Sequence, residues 1–259
     1  EIYQCDWSSD VCSSDLCNQG ELGGLGRRAT YFKELRKSLG DRVLFIAGGH
    51  EFQPLPGVRP DGDVSAADLA PALAKGYTLL GYQLIAGTSG EAGWLKGNGG
   101  KAPAVFRPLG EKPAVEFLSS GGLRIAAVLF PEAAEPAAAQ YAAVVEAARS
   151  ARAKADLVLG VSTWGESVEK RFLDAAGPDF DMLLGSGQGM GAGCRVANQG
   201  RTLWVRPVFD SWGVQRVDVL ARPGAGQDWQ EGRNYTIQVR WMDATIPLDP
   251  QVSTIFSWI

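Results

Sequence analysis

The chain has 259 residues, 25 of them Lys or Arg and 29 Asp or Glu, with a single histidine and four cysteines. That charge balance excludes the basic footprint of a nucleic-acid binder, and the two cysteines left once the first sixteen residues are set aside, Cys17 and Cys194, are too few for a disulfide framework. No apolar run reaches the roughly 20 residues of a membrane-spanning helix, and a chain of this length can bury a full core, so one large domain is expected.

The first sixteen residues, EIYQCDWSSDVCSSDL, stand apart. The run from Asp6 to Leu16 matches the one-frame translation of a widely used sequencing adapter. Residues 1–16 are therefore read as a non-native segment, to be set aside as tags and fusion scars are. Without Glu1, Asp6, Asp10 and Asp15 the 29 acids fall to 25, equal to the basic residues. Cys5 and Cys12 also drop out, leaving Cys17 and Cys194. The head has no apolar periodicity, so it is expected to add nothing to the core. The remainder, residues 17–259, is read as one domain fragment open at both ends.

Residues 25–39 place Leu25, Ala29, Phe32, Leu35 and Leu39 at helical spacing, with Arg27, Arg28, Lys33 and Lys37 expected on the outer face. Gly40-Asp41 stops that helix. Residues 43–47 (VLFIA) form a short continuous apolar run, as in a buried parallel strand. Ser65 is a helix cap, with the helix running to Ala74 and ending at Gly76. Residues 77–80 read as a second strand, and residues 87–100 as a glycine-rich loop. Residues 114–119 and 123–130 flank Gly121-Gly122 as a hairpin. A long alanine-rich helix is predicted over 132–153, a strand over 157–162, a helix over 167–176 and a strand over 181–184. Strands then dominate: 194–197, 202–206, 214–221 and 235–242, punctuated by Asn198-Gln199-Gly200 and Pro223-Gly224. Residues 250–259 look like the start of a helix. Strands alternating with helices, closed by antiparallel strands, predict an α/β layered domain with mixed sheets.

In such sheets chemistry sits beyond the carboxyl ends of the strands. That rule selects His50-Glu51, Gly81 to Gln83, Thr163 to Gly165 and Gly185 to Gly189. His50 could ligate a metal or act as a base. One histidine cannot build a metal site, so its partners would be carboxylates such as Glu51, Asp61 or Asp63. Gly187, Gly189 and Ala192 satisfy the loose dinucleotide-binding spacing, but that fingerprint needs a helix next, and Arg195 to Arg206 reads as strand, turn, strand. Ser162 and Thr163 have no histidine near them in sequence, so a serine triad would have to recruit His50. Cys17 and Cys194 fit buried small hydrophobes.

The opening Cys17-Asn18-Gln19-Gly20-Glu21-Leu22-Gly23-Gly24-Leu25-Gly26-Arg27-Arg28 resembles a stretch in the 5′-nucleotidase family of metallophosphoesterases. In a cysteine- or selenocysteine-containing branch, a Pro-Cys-Gly-Cys run after the first strand is followed by Leu-Gly-Gly-Leu-Ala-Arg-Arg. The resemblance implies a metallo-dependent phosphatase-like sandwich of two mixed β-sheets flanked by helices. It also implies that the first strand, with its Asp-x-His, lies upstream of Cys17 and is missing, which would leave a gap or an exposed edge beside the 43–47 strand. The family holds two metal ions at strand ends, and the pair supplies a nucleophilic hydroxide. By resemblance those positions fall at His50, Gln83, Thr163, Gly187 and Gly189, where only His50 could still ligate a transition metal well. The implied reading is a degenerate centre, without phosphohydrolase activity, acting in binding or in thiol redox through Cys17. The alternative is an active metal-dependent phosphoesterase with an atypical ligand set. No cofactor is expected for this chain, or a divalent metal pair if the family chemistry survives. The resemblance places the protein in the cell envelope or periplasm and names no partner. His50, Gln83, Thr163 and Gly187 are expected to converge on one face.

Overall fold

A computed structural model describes residues 2–5 (backbone), 23–52, 65–175, 179–189, 193–207, 212–224 and 227–257. In chain order the elements are β1 (Ile2–Cys5), α1 (Leu25–Leu39), β2 (Leu44–Ala47), α2 (Ala66–Leu80), β3 (Leu84–Gly87), α3 (Ser89–Gly97), β4 (Phe106–Pro108), β5 (Ala114–Ser120) and β6 (Leu123–Leu129). There follow α4 (Ala138–Arg152), β7 (Leu157–Ser162), α5 (Glu166–Ala175), β8 (Met182–Gly185), β9 (Gly193–Ala197), β10 (Thr202–Arg206), β11 (Gly213–Val219), β12 (Tyr235–Trp241) and α6 (Pro250–Ile255). One six-stranded sheet has the order β12-β11-β1-β2-β3-β4, the other β5-β6-β7-β8-β10-β9. Each combines parallel and antiparallel pairs. This is the expected α/β sandwich.

The strands carry apolar residues on both faces because both faces are covered. Leu44 and Ile46 of β2 pack between the sheets with Leu84, Ala127, Leu129, Leu159, Val161 and Leu184. Phe45 and Ala47 point the other way, into a layer with Leu25, Phe32, Leu73 and Tyr77 of α1 and α2. On the far side Ala126, Val128, Val158 and Leu183 meet Val144 and Ala148 of α4 and Phe172 of α5. Each fully buried Leu, Ile or Phe contributes about 1.5–3 kcal/mol, so the central strands anchor the layers and their ends become rigid platforms.

Several expectations are corrected. The slot beside β2 is filled: Ile2–Cys5 runs parallel to β2 and antiparallel to β11, Gln4 facing Ile46 on one side and Gln215 on the other. Two flanking strands present a row of unpaired backbone groups, and an extended tetrapeptide that starts with β-favouring Ile and Tyr satisfies them. The rest of the predicted non-native head, from Asp6 to Leu16, lies outside the described residues, as does Cys17. Helix α2 continues through Gly76 to Leu80, so residues 77–80 are its last turn and not a strand. Gly76 reflects close packing: a Cβ there would come within 3.2 Å of the Phe256 ring. The true stop is Gly81, at φ 67°. Arg36 seals this end by donating to the Leu80 and Gly81 carbonyls, both at 2.6 Å. The glycine-rich 87–100 stretch holds helix α3, started by a reciprocal capping box between Thr88 and Glu91. Helix α4 starts at Ala138, because Pro136 disfavours helical backbone just before it. Arg27 and Arg28 are buried, not on the outer face.

Candidate functional site at the strand ends

The carboxyl ends of β2, β3, β7 and β8 meet at one end of the sandwich. Gly48-Gly49-His50 follows β2, Thr88 follows β3, Thr163 follows β7, and Ser186-Gly187 follows β8. A Cβ on Gly49 would point at the Thr163 methyl, 2.6 Å away, and at the Thr88 methyl, 3.4 Å away. A Cβ on Gly48 would meet the Ser186 hydroxyl at 3.1 Å. One on Gly187 would sit 2.5 Å from the Thr163 carbonyl oxygen. The segments after β7 and β8 are joined backbone to backbone, Gly165 N–H donating to Ser186 O at 2.9 Å and Glu166 N–H to Gln188 O at 2.7 Å.

His50, Thr163 and Gly187 thus belong to this end, as expected. Gln83 does not. It precedes β3, at the opposite end of the sheet, where its N–H donates to Phe45 O at 3.0 Å and its Oε1 accepts from Phe45 N–H at 2.7 Å. The misplacement follows from taking residues 77–80 as the strand; with β3 at Leu84–Gly87, the strand-end residue is Thr88. Gly189 lies farther out, with φ 118°, where a Cβ would come within 2.4 Å of Glu166 Cβ. His50 is half-buried in left-handed backbone at φ 76°, and Gly49 aims more directly into the convergence point.

Two buried charge networks shape this end. Glu51 and Arg28 are both fully buried, 3.6 Å apart, and the Tyr77 hydroxyl donates to Glu51 in a short hydrogen bond. Phe52 N–H donates to Glu91 at 3.0 Å. Both residues after His50 are therefore drawn inward, which accounts for its turned backbone. On the other sheet, Arg206 donates to Glu169 at 2.6 Å and to the carbonyls of Ser186, Gly187 and Gln188 at 3.3, 2.8 and 3.3 Å. Glu169 also accepts from Trp204 Nε1–H at 2.9 Å and Ser186 N–H at 3.2 Å. Burial pushes the Glu169 carboxyl above its ordinary range, and Arg206, with the Trp204 and Ser162 hydrogen bonds, pulls it back. Glu132, just beyond β6, accepts from Ser89 N–H at 2.7 Å. Sequence reasoning missed Thr88, Glu169 and Arg206. The available signal was a charged residue inside a buried apolar pattern, as in Thr202-Leu203-Trp204-Val205-Arg206.

Among the described residues, the donors at this end do not fit a divalent metal pair; Asp61 and Asp63, the carboxylates named as partners for His50, lie outside the described residues. Gly48, Gly49 and Gly187 supply no side chain, Thr88, Thr163 and Ser186 supply neutral hydroxyls, and His50 is a single neutral nitrogen ligand. The buried carboxylates Glu51, Glu91 and Glu169 are already engaged by Arg28 and Tyr77, by backbone N–H groups, and by Arg206 and Trp204. Two ions held close together need anionic bridging. Among the described residues no group of three His, Cys, Asp or Glu could hold an ion. A cavity between Arg42, Ser120, Leu123, Ile125, Leu157 and Val219 opens at the opposite end of the sandwich, away from these residues.

No protein-family profile matches the sequence, and no curated protein matches it. Likeness appears in the fold. A 5′-nucleotidase precursor from Thermus thermophilus superposes with a TM-score of 0.69 at 14% identity, over 99% of this chain and 57% of that one. An NAD nucleotidase from Haemophilus influenzae gives 0.62 at 11%, over 99% and 61%. A calcineurin-like phosphoesterase from Bacillus subtilis gives 0.63 at 11%, over 99% and 95%. The chain therefore has the calcineurin-like metallophosphoesterase sandwich fold and spans under two thirds of the length of the two nucleotidases. No helix among the described residues is long and apolar enough to cross a membrane.

Proposed function

We propose that this is a metallophosphoesterase-fold domain without phosphohydrolase activity, serving in binding or in thiol redox chemistry. One observation carries the reading: the convergence point of the strand ends is built from Gly48, Gly49, Thr88, Thr163, Ser186 and Gly187, packed directly on one another. Phosphoryl transfer needs concentrated positive charge to stabilise its transition state. These residues supply no anionic cage to hold such charge, and the buried cation beside them, Arg206, is committed to Glu169 and to the carbonyls of Ser186, Gly187 and Gln188. Within this reading the redox arm belongs to Cys17, and the location is the cell envelope. The names of the fold neighbours favour a second reading, a metal-dependent phosphoesterase with an atypical ligand set.

The test is direct. Purified protein is assayed on 5′-nucleotides and on p-nitrophenyl phosphate, with manganese or zinc added. The expected result is no turnover above the buffer rate. Metal-dependent turnover that disappears in His50→Ala would overturn the proposal and identify His50 as part of a working ligand set.

A further inference from the structure

We infer that the space between the strand ends is closed by a structural seam, in which Gly48 and Gly49 of one sheet receive Ser186 and Thr163 of the other. The inference deepens the non-hydrolytic reading above: it assigns the residues that take up the room a metal pair would need. Neither glycine has a positive φ, so neither is required by backbone conformation. What requires them is space. Any Cβ at Gly49 falls inside the contact distance of the Thr163 methyl, at 2.6 Å, and one at Gly48 lies 3.1–3.2 Å from Ser186 Oγ and Cβ. Thr163 is β-branched and stiff at χ1, and its carbonyl is hemmed in by Gly187, so the methyl has little freedom to withdraw. Thr88 closes the third side, its hydroxyl tied to Glu91 N–H at 3.1 Å and its methyl turned toward Gly49. The Arg206–Glu169 pair and the Gly165–Ser186 bond hold the second sheet's loops against this contact. The ends of the two sheets are thus joined by small-residue packing. A carboxylate introduced at position 49 would meet a methyl group, not an open coordination site.

The seam makes two predictions that do not depend on activity. First, Gly49→Ala lowers the melting temperature by roughly 2–10 °C, as overpacking does, and Thr163→Ser, which removes the opposing methyl, restores at least half of that loss in the double variant. If Gly49→Ala does not fold, recovery of folding in the double variant is the same result. A double variant no more stable than the sum of the two single changes overturns the seam. Second, the melting temperature of the unmodified protein is the same with excess MnCl2, with excess ZnCl2 and with EDTA, because an ion bound to the native state would raise it by mass action. A metal-induced rise that Gly49→Ala abolishes overturns the seam. If that rise comes without phosphatase turnover, the non-hydrolytic reading stands and only the seam fails; turnover with the seam's coupling intact has the opposite meaning.

Discussion

Arg206→Met asks how much of the strand-end architecture depends on one buried guanidinium. The Arg206 and Glu169 side chains are 6% and 0% exposed, and the arginine also satisfies three consecutive carbonyls after β8. Methionine keeps much of the volume and removes the charge. Breaking a buried pair by deleting one partner costs about 3–5 kcal/mol, because the other charge stays buried without compensation. For a domain of this size that corresponds to a fall of roughly 6–20 °C in melting temperature. Replacing both partners, in Glu169→Gln with Arg206→Met, should recover a large part of the loss, since a neutral amide can still accept from Trp204 Nε1–H. The pH dependence has a defined sign. Burial raises the Glu169 pKa above its ordinary 4.5, so the folded state holds this proton more tightly than the unfolded chain does. Its contribution is full below that ordinary value and is lost as pH rises through the raised one. Removing Arg206 removes the largest opposing influence, so the stability of Arg206→Met should fall more steeply as pH rises. Urea denaturation followed by tryptophan fluorescence across a pH series from acid to neutral measures both effects. A loss under about 1 kcal/mol, or a double variant no more stable than the single one, would refute the reasoning.

Three further expectations follow from other parts of the molecule. Asp249 caps α6 through Gln251 and Val252 N–H and pairs with Lys33 at 2.5 Å; burial opposes ionisation, but the Lys33 and backbone bonds outweigh it and lower its pKa. Asp249→Ala should therefore cost about 1 kcal/mol at neutral pH, and the difference should vanish as pH falls through the lowered value, read by thermal melts of both proteins. The Cys194 thiol is pushed up to about 12, by burial first and by Glu231 second, so iodoacetamide at mildly alkaline pH should leave it unmodified until the protein unfolds, as peptide mass spectrometry would show; labelling at the rate of a free thiol contradicts this. Gln4→Pro removes a ladder donor from a strand flanked on both sides and should lower the melting temperature by several degrees, whereas Gln4→Thr should not; an unchanged melt for Gln4→Pro would return residues 1–5 to the status of an inert head.

Local periodicity carried much of the fold. The 15 residues of α1 have apolar positions at helical spacing and a glycine stop, and the structure gives that helix the same bounds. The continuous apolar runs of β2 and β7, and residues 125–129 of β6, are strands covered on both faces, because a run that buries every residue in an extended chain needs a layer on each side. From these runs the strand-end rule located His50, Thr163 and Gly187 without any tertiary information. What failed were the features set by distant partners. Residues 77–80 are apolar enough for a strand or a helix end, and packing of Tyr77 and Leu80 under α1 and of Gly76 against Phe256 selected the helix. That choice moved the strand to Leu84–Gly87 and exchanged Gln83 for Thr88 at the site. Arg28 carries the same charge as its exposed neighbour Lys33, yet it is buried because Glu51, from beyond β2, meets it there. The placement of Ile2–Cys5 depended on β11, more than two hundred residues away. A sequence states which faces are apolar; which polar groups are neutralised, and how closely two strand ends approach, depends on contacts whose other half lies elsewhere in the chain.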